Sequence, residues 1–157
     1  MDMQKIERLA SAEAATILEK FKSNRNPSFP ITYDENGLLY GDFNSQFTHR
    51  GIYGFRVEKA GRSAVAYIGK AENDNRLRQH LLSQNKDGSP LAESVRTKHN
   101  KIKLFITDGY NVALCLYSNP TFAKASLSCI EIATALKAKE EFKSLFPKVA
   151  HWNVRIG

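Results

Sequence analysis

This chain is poor in the residues that usually signal a cofactor or a disulfide. It has two cysteines and four histidines. Cys115 and Cys129 lack metal-like spacing, so they read as reduced, small core residues of a cytoplasmic protein. The histidines are scattered, which argues against a zinc site. No stretch approaches the ~18 apolar residues of a membrane span. The opening Met1-Asp2-Met3-Gln4-Lys5 runs into no apolar segment, so it does not read as a secretory leader. There is no glycine-rich phosphate loop, no Ser/His/Asp pattern, no paired-cysteine motif and no internal repeat. Nucleotide-cradling, serine-hydrolase and solenoid readings are left without support. Acid is scarce too: 16 Asp and Glu stand against 23 Lys and Arg, giving a net charge of +7 and a pI of about 9.5. That balance favours a polyanionic partner, nucleic acid first and acidic membrane second. Simple solubility is the plainer explanation of the same charge.

At 157 residues and 42% hydrophobic content, the chain suits one domain with a real core. Residues 5–22 place Ile6, Leu9, Ala10, Ala14, Ile17, Leu18 and Phe21 at helical spacing, which predicts an amphipathic helix. Residues 23–30 carry two prolines and read as a loop. Ile31-Thr32-Tyr33 and Leu38-Leu39-Tyr40 flank Asn36-Gly37, a hairpin signature. Further on, 91–99 reads as a short helix, Ile102-Lys103-Leu104-Phe105-Ile106 as a strand, Asp108-Gly109 as a turn, and 112–117 as another strand. A long helix should cover about 122–146, stopped by Pro147.

The chemistry concentrates between residues 51 and 80. In Gly51-Ile52-Tyr53-Gly54-Phe55-Arg56-Val57, strand alternation sends Tyr53, Phe55 and Val57 to one face and Ile52, Gly54 and Arg56 to the other. Residues 59–63 form a short polar connection with a glycine, suited to a hairpin. Ala64-Val65-Ala66-Tyr67-Ile68 returns antiparallel and brings Tyr67 near Tyr53. Asn73 and Asp74 can cap a helix. On it Arg76 and His80, four apart, face the same way, while Leu77 and Leu81 pack on the hairpin. Two phenols, a guanidinium, an imidazole and the Lys70 ammonium then share a patch. Taken singly, each is as readily an ordinary sheet aromatic or surface residue.

On the long helix, Leu127, Glu131, Thr134, Ala138, Phe142 and Leu145 form one stripe. Glu131 is its charged member, and a carboxylate aimed at a core is costly unless it meets a cation or a donor. Glu131 is therefore the candidate metal ligand, with Glu140 and Glu141 as alternatives. The basic cluster Lys98, Lys101 and Lys103, with Arg56 and Arg78, supplies candidate phosphate contacts.

Gly51-Ile52-Tyr53, Tyr67-Ile68-Gly69 and Arg76-x-x-x-His80, in that order, resemble the GIY-YIG nuclease superfamily. Asn153, in His151-Trp152-Asn153, resembles the asparagine near the end of that domain. The resemblance covers roughly residues 47–157 and leaves 1–46 as an N-terminal helix-and-hairpin extension packed on the core. It implies an α+β fold, a small and mostly antiparallel sheet flanked by helices. It further implies an endonuclease that cuts DNA with Mg2+ or Mn2+, of a compact type such as a restriction endonuclease. By that likeness Tyr53 is the general base for water, Tyr67 positions water or phosphate, and Arg76 grips the phosphate. Glu131 holds the metal and Asn153 orients these groups. A free phenol titrates near ~10, so Tyr53 needs nearby cations, a part open to Lys70 and His80. Cutting both strands would suit a homodimer. The alternative is a catalytically inactive nucleic-acid-binding module of the same fold.

Overall fold

The structure is a computed structural model that describes residues 3–23, 28–33, 39–43, 49–72, 75–82, 87, 89–90, 97–118 and 124–153; the side chains of residues 75, 76, 124 and 125 lie outside that description. Five strands form one antiparallel sheet in the order β2-β1-β5-β3-β4. They are β1 (Ser28–Tyr33), β2 (Leu39–Tyr40), β3 (Gly51–Lys59), β4 (Arg62–Ala71) and β5 (Asn111–Tyr117). Helix α1 (Met3–Lys22) packs on one face with α4 (Lys124–Leu145) from Leu127 to Ala138, α2 (Asn75–Leu82) and α3 (Thr97–Thr107) pack on the other, and Phe142 near the end of α4 joins the core on the α2 and α3 side. The fold is thus α+β, as expected. No helix among the described residues is long and apolar enough to cross a membrane.

Strand β3 lies between β5 and β4 and is covered on both faces, which explains its near-continuous burial. Tyr53, Phe55 and Val57 join the core under α2 and α3, while Ile52 joins the layer of Ile17, Phe21 and Ile130 under α1 and α4. The N-terminal strands belong to the same sheet, since β1 pairs with β5 through Phe29↔Leu114 and Ile31↔Val112.

Several expectations need correction. Residues 28–30 are strand rather than loop: Ile31 is buried and Phe29 packs on the core, and that anchoring carries β1 through Pro30. On α1, Leu9 is 61% exposed. It lies about 120° round the helix from the middle of the buried stripe. The expected strand 102–106 is helical. His99, Ile102 and Phe105 are buried at three-residue steps while Leu104 is 58% exposed. That is a helix period, not a strand alternation. The part of the expected 91–99 helix before Thr97, the Asn36-Gly37 turn and the caps Asn73 and Asp74 lie outside the described residues. Of the two cysteines only Cys115 is in the core, where burial pushes its thiol up to about 11; Cys129 is exposed on α4.

Candidate functional site

The site-bearing hairpin turns at Ala60-Gly61, both at positive φ, the backbone of a two-residue turn that matches strand twist. From there the strands pair as Lys59↔Arg62, Val57↔Ala64 and Arg56↔Val65. The register then slips, so that Phe55 faces Tyr67 and Tyr53 faces Gly69. Ala66 is the extra residue. This bulge decides the site. Unbroken alternation from Ala64 would set Tyr67 opposite Gly54, on the α1 and α4 face. One extra residue reverses its side and puts both tyrosines under α2 and α3.

Both motif glycines have a steric reason. Gly51 has φ 135°, and a Cβ there would run into the Tyr117 carbonyl of β5. At Gly69 a Cβ would lie 2.6 Å from both Cζ and Oη of Tyr53. The Tyr53 ring therefore lies across bare backbone.

Three rings meet above this surface. Tyr53, Tyr67 and His80 have centroids 5.9, 5.9 and 5.6 Å apart in pairs. His80 reaches them because Leu77 and Leu81 anchor α2 in the core with no exposed surface. Tyr53 Oη and His80 Nδ1 are 3.1 Å apart. That pair lets a neutral imidazole accept the phenol proton, or an N–H donate to a phenolate. Tyr53 has 0% exposure, whereas Tyr67 is half-buried. A cation completes the group: Lys98 Nζ of α3 stands 5.0 Å from the Tyr67 ring centroid, within cation–π range.

Asn153 is buried and acts on the strand backbone. Its Oδ1 accepts from Ile68 N at 2.8 Å and its Nδ2 donates to Ile68 O at 3.0 Å. Beside it Trp152 N donates to the carbonyl of the bulge residue Ala66 at 3.0 Å. His151 Nε2 donates to the Val65 carbonyl at 3.0 Å, and its Nδ1 accepts from Asn153 N at 3.1 Å. Residues 151–153 thus close the outer side of β4 along the stretch that carries Tyr67. Burial pushes the His151 imidazole down to about 4 against the bond to Val65, and the charges of Lys139, Lys101 and Lys98 push the same way.

Other candidates fall elsewhere. Lys70 is on the opposite side of β4 from the phenols; its Nζ donates to Ser128 Oγ of α4 at 2.6 Å and pairs with Glu72 at 3.5 Å. Arg56 is half-buried and points inward, giving hydrogen bonds to the Phe21 carbonyl at 2.9 Å and to Ser28 Oγ at 3.4 Å. It ties β3 to α1 and β1, so it is not placed to meet phosphate. Arg76 stands one turn before His80 on α2, and its side chain is outside the described residues. Arg78 is half-buried on the same helix. Lys103 parts from the other α3 lysines, lying roughly 140° round the helix from Lys98 and 160° from Lys101. The role of Lys98 beside Tyr67 was missed by sequence reading, since only the fold of α3 reveals it.

Glu131 is half-buried on α4, within the stripe facing β4 and one turn beyond Ser128. Glu141 pairs with Lys22 of α1 at 3.1 Å, and Glu140 is exposed. Among the described residues no three His, Cys, Asp or Glu side chains gather as a metal cage. One carboxylate does not make a closed zinc site; an ion held at Glu131 would have to keep most of its waters, as magnesium does. No protein-family model matches the chain, and no curated protein or solved structure matches it either.

Proposed function

We propose that this chain is a metal-dependent endonuclease that hydrolyses DNA phosphodiester bonds. The observation that carries the proposal is the convergence of Tyr53, Tyr67, His80 and Lys98 at one end of the hairpin. The chain's net charge of +7 supports a polyanionic substrate.

Phosphodiester hydrolysis needs an oriented nucleophile and relief of charge on the phosphoryl oxygens. Tyr53, expected as the general base, has no exposed surface, so Tyr67, the phenol nearer solvent, would take the proton of the attacking water in its place. The buried Tyr53–His80 pair beneath would hold its ring and carry a proton between phenol and imidazole. Lys98 over the Tyr67 ring would favour negative charge there and meet a phosphate oxygen. Arg76 would offer its planar donor fork to the same phosphate. Asn153 would hold the Tyr67-Ile68-Gly69 backbone still. Mg2+ or Mn2+ at Glu131 would supply charge stabilisation to the phosphoryl and leaving oxygens when bound.

Supercoiled plasmid incubated with Mg2+ or Mn2+ tests this. The expected result is metal-dependent nicking that falls at least ~100-fold in Tyr67→Phe and in Glu131→Ala, with the circular dichroism spectrum retained. A wild type that binds plasmid but nicks it in neither metal would leave the inactive binding module as the reading. Discrete fragments from linear DNA would refine the activity to restriction cleavage, and a dimer by sedimentation would account for cutting both strands.

A further inference from the structure

We infer that His151 and Trp152 are positioning residues: they take two successive carbonyls that only a bulged β4 turns outward, and so hold Tyr67 on the side of Tyr53 and His80. The inference rests on the nuclease reading for the use made of Tyr67; the side on which Tyr67 lies is fixed by hydrogen bonds alone.

Strand β4 has β3 on one side and residues 151–153 along the other. In an unbroken antiparallel strand, alternate residues turn their backbone groups toward the neighbouring strand and those between turn theirs outward. Outward residues are therefore two apart. Val65 and Ile68 are three apart, yet both turn outward. The Val65 carbonyl accepts from His151 Nε2 at 3.0 Å, and Ile68 meets the Asn153 side chain through its N–H at 2.8 Å and its carbonyl at 3.0 Å. Between them the Ala66 carbonyl also turns outward, accepting from Trp152 N at 3.0 Å. The extra residue Ala66 makes this possible. With unbroken alternation from Ala64, the Ala66 and Ile68 groups would turn toward β3, Tyr67 would lie on the α1 and α4 face, and Ile68 would replace Gly69 opposite Tyr53. Residues 151–153 thus fit the hairpin that has Tyr67 in the site and do not fit the slipped one. A segment that binds one of two arrangements draws the population toward it. The core in turn fixes this segment. Trp152 has no exposed surface and packs on Phe105 and Phe55, with centroids 5.0 and 5.7 Å away. The His151 ring packs on Phe142 at 5.2 Å between centroids, and its Nδ1 accepts from Asn153 N at 3.1 Å, which leaves Nε2 to donate.

Ring geometry and chemistry are read separately, on the full-length protein. Through-space NMR cross-peaks should join the Tyr67 and His80 rings, whose centroids lie 5.6 Å apart. His151→Ala should weaken them by about 5- to 10-fold, the effect of one lost hydrogen bond and one orphaned N–H. It should lower kcat for plasmid nicking in the same proportion and leave KM unchanged. His151→Gln keeps an amide N–H for the Val65 carbonyl and should restore most of both. Deleting Ala66 leaves Tyr67 opposite Phe55 with no bulge to hold, so in that background His151→Ala should leave the cross-peaks as they are; where the deletion does not fold, the alanine and glutamine variants decide alone. Wild-type cross-peaks in His151→Ala, a His151→Gln variant no better than alanine, or equal losses with and without Ala66 would overturn the inference even if wild type nicks plasmid. A wild type that never nicks, with cross-peaks lost in His151→Ala and regained in His151→Gln, supports the register lock and overturns the nuclease reading instead.

Discussion

Replace Asn153 by alanine and two buried backbone groups of Ile68 lose their partners together. The Asn153 side chain takes the Ile68 N–H at 2.8 Å and serves the Ile68 carbonyl at 3.0 Å. An orphaned buried polar group costs about 1–3 kcal/mol. Two give about 2–6 kcal/mol, and water reaching the outer side of β4 brings the working figure to about 2–4 kcal/mol. In a chain this long each kcal/mol lowers the melting temperature by about 2–4 °C, so the fall should be about 4–16 °C. Asn153→Asp separates hydrogen bonding from packing. One carboxylate oxygen still accepts from Ile68 N–H, but the other faces the Ile68 carbonyl oxygen, so only the protonated acid satisfies both. Its folded pKa is then raised above the unfolded ~3.9. The stabilisation is complete below that value and is lost as pH rises through the raised folded value. Relative to wild type, the aspartate variant should therefore recover on acidification. Urea unfolding followed by Trp152, the single tryptophan, reads both effects. An alanine variant melting within about 1 °C of wild type, or an aspartate variant that weakens further against wild type in acid, refutes the reasoning.

Gly69→Ala should push the Tyr53 ring off β4, cost about 1–3 kcal/mol by overpacking, and break the contact with His80; thermal melts and the His80 ring NMR shift on adding the methyl report both. His151 should make the fold acid-sensitive. Its folded pKa of about 4 lies below the ordinary ~6.5. Its contribution is thus full above ~6.5 and lost as pH falls toward about 4. The urea midpoint should drop between about pH 7 and pH 5, and drop less in His151→Gln. Chelator should abolish nicking without moving the melting temperature, because the candidate metal site uses one carboxylate and no folded cage; a melting shift in step with activity would place the ion in the fold's support instead. Arg56→Met should lower stability by about 1–3 kcal/mol, measured by urea, by freeing the Phe21 carbonyl, and leave duplex binding unchanged.

Much of the fold was legible because its periods are clean. The α1 spacing and the stripe of α4 each marked an element and its buried side, and the alternation of β3 sorted its side chains between two buried faces. Strand 102–106 failed because five residues with four apolar members carry no period by themselves; only His99 upstream reveals the helical step. The tyrosine pairing was legible, but its cause was not. Alternation counted from Ala64 sends Tyr67 away from Tyr53, and nothing in Ala64-Val65-Ala66 announces the extra residue that corrects it. Lys70 was misplaced by adjacency: following Gly69, it alternates away from the phenols. Lys98 was read as a candidate phosphate contact but not as a neighbour of Tyr67, because its ring partner is 31 positions back in the sequence, and contact at that range has no local mark.

The seam along β4 also bears on how the protein is made. Strands β3 and β4 are joined by a two-residue turn and can meet as soon as they leave the ribosome. The outer partner of β4 comes only with residues 151–153, more than eighty positions later. Until then the strand holding Tyr67 carries a bare row of donors and acceptors, a template for another nascent chain. Truncation just before His151 would make that interval permanent and turn a private seam into an adhesive one.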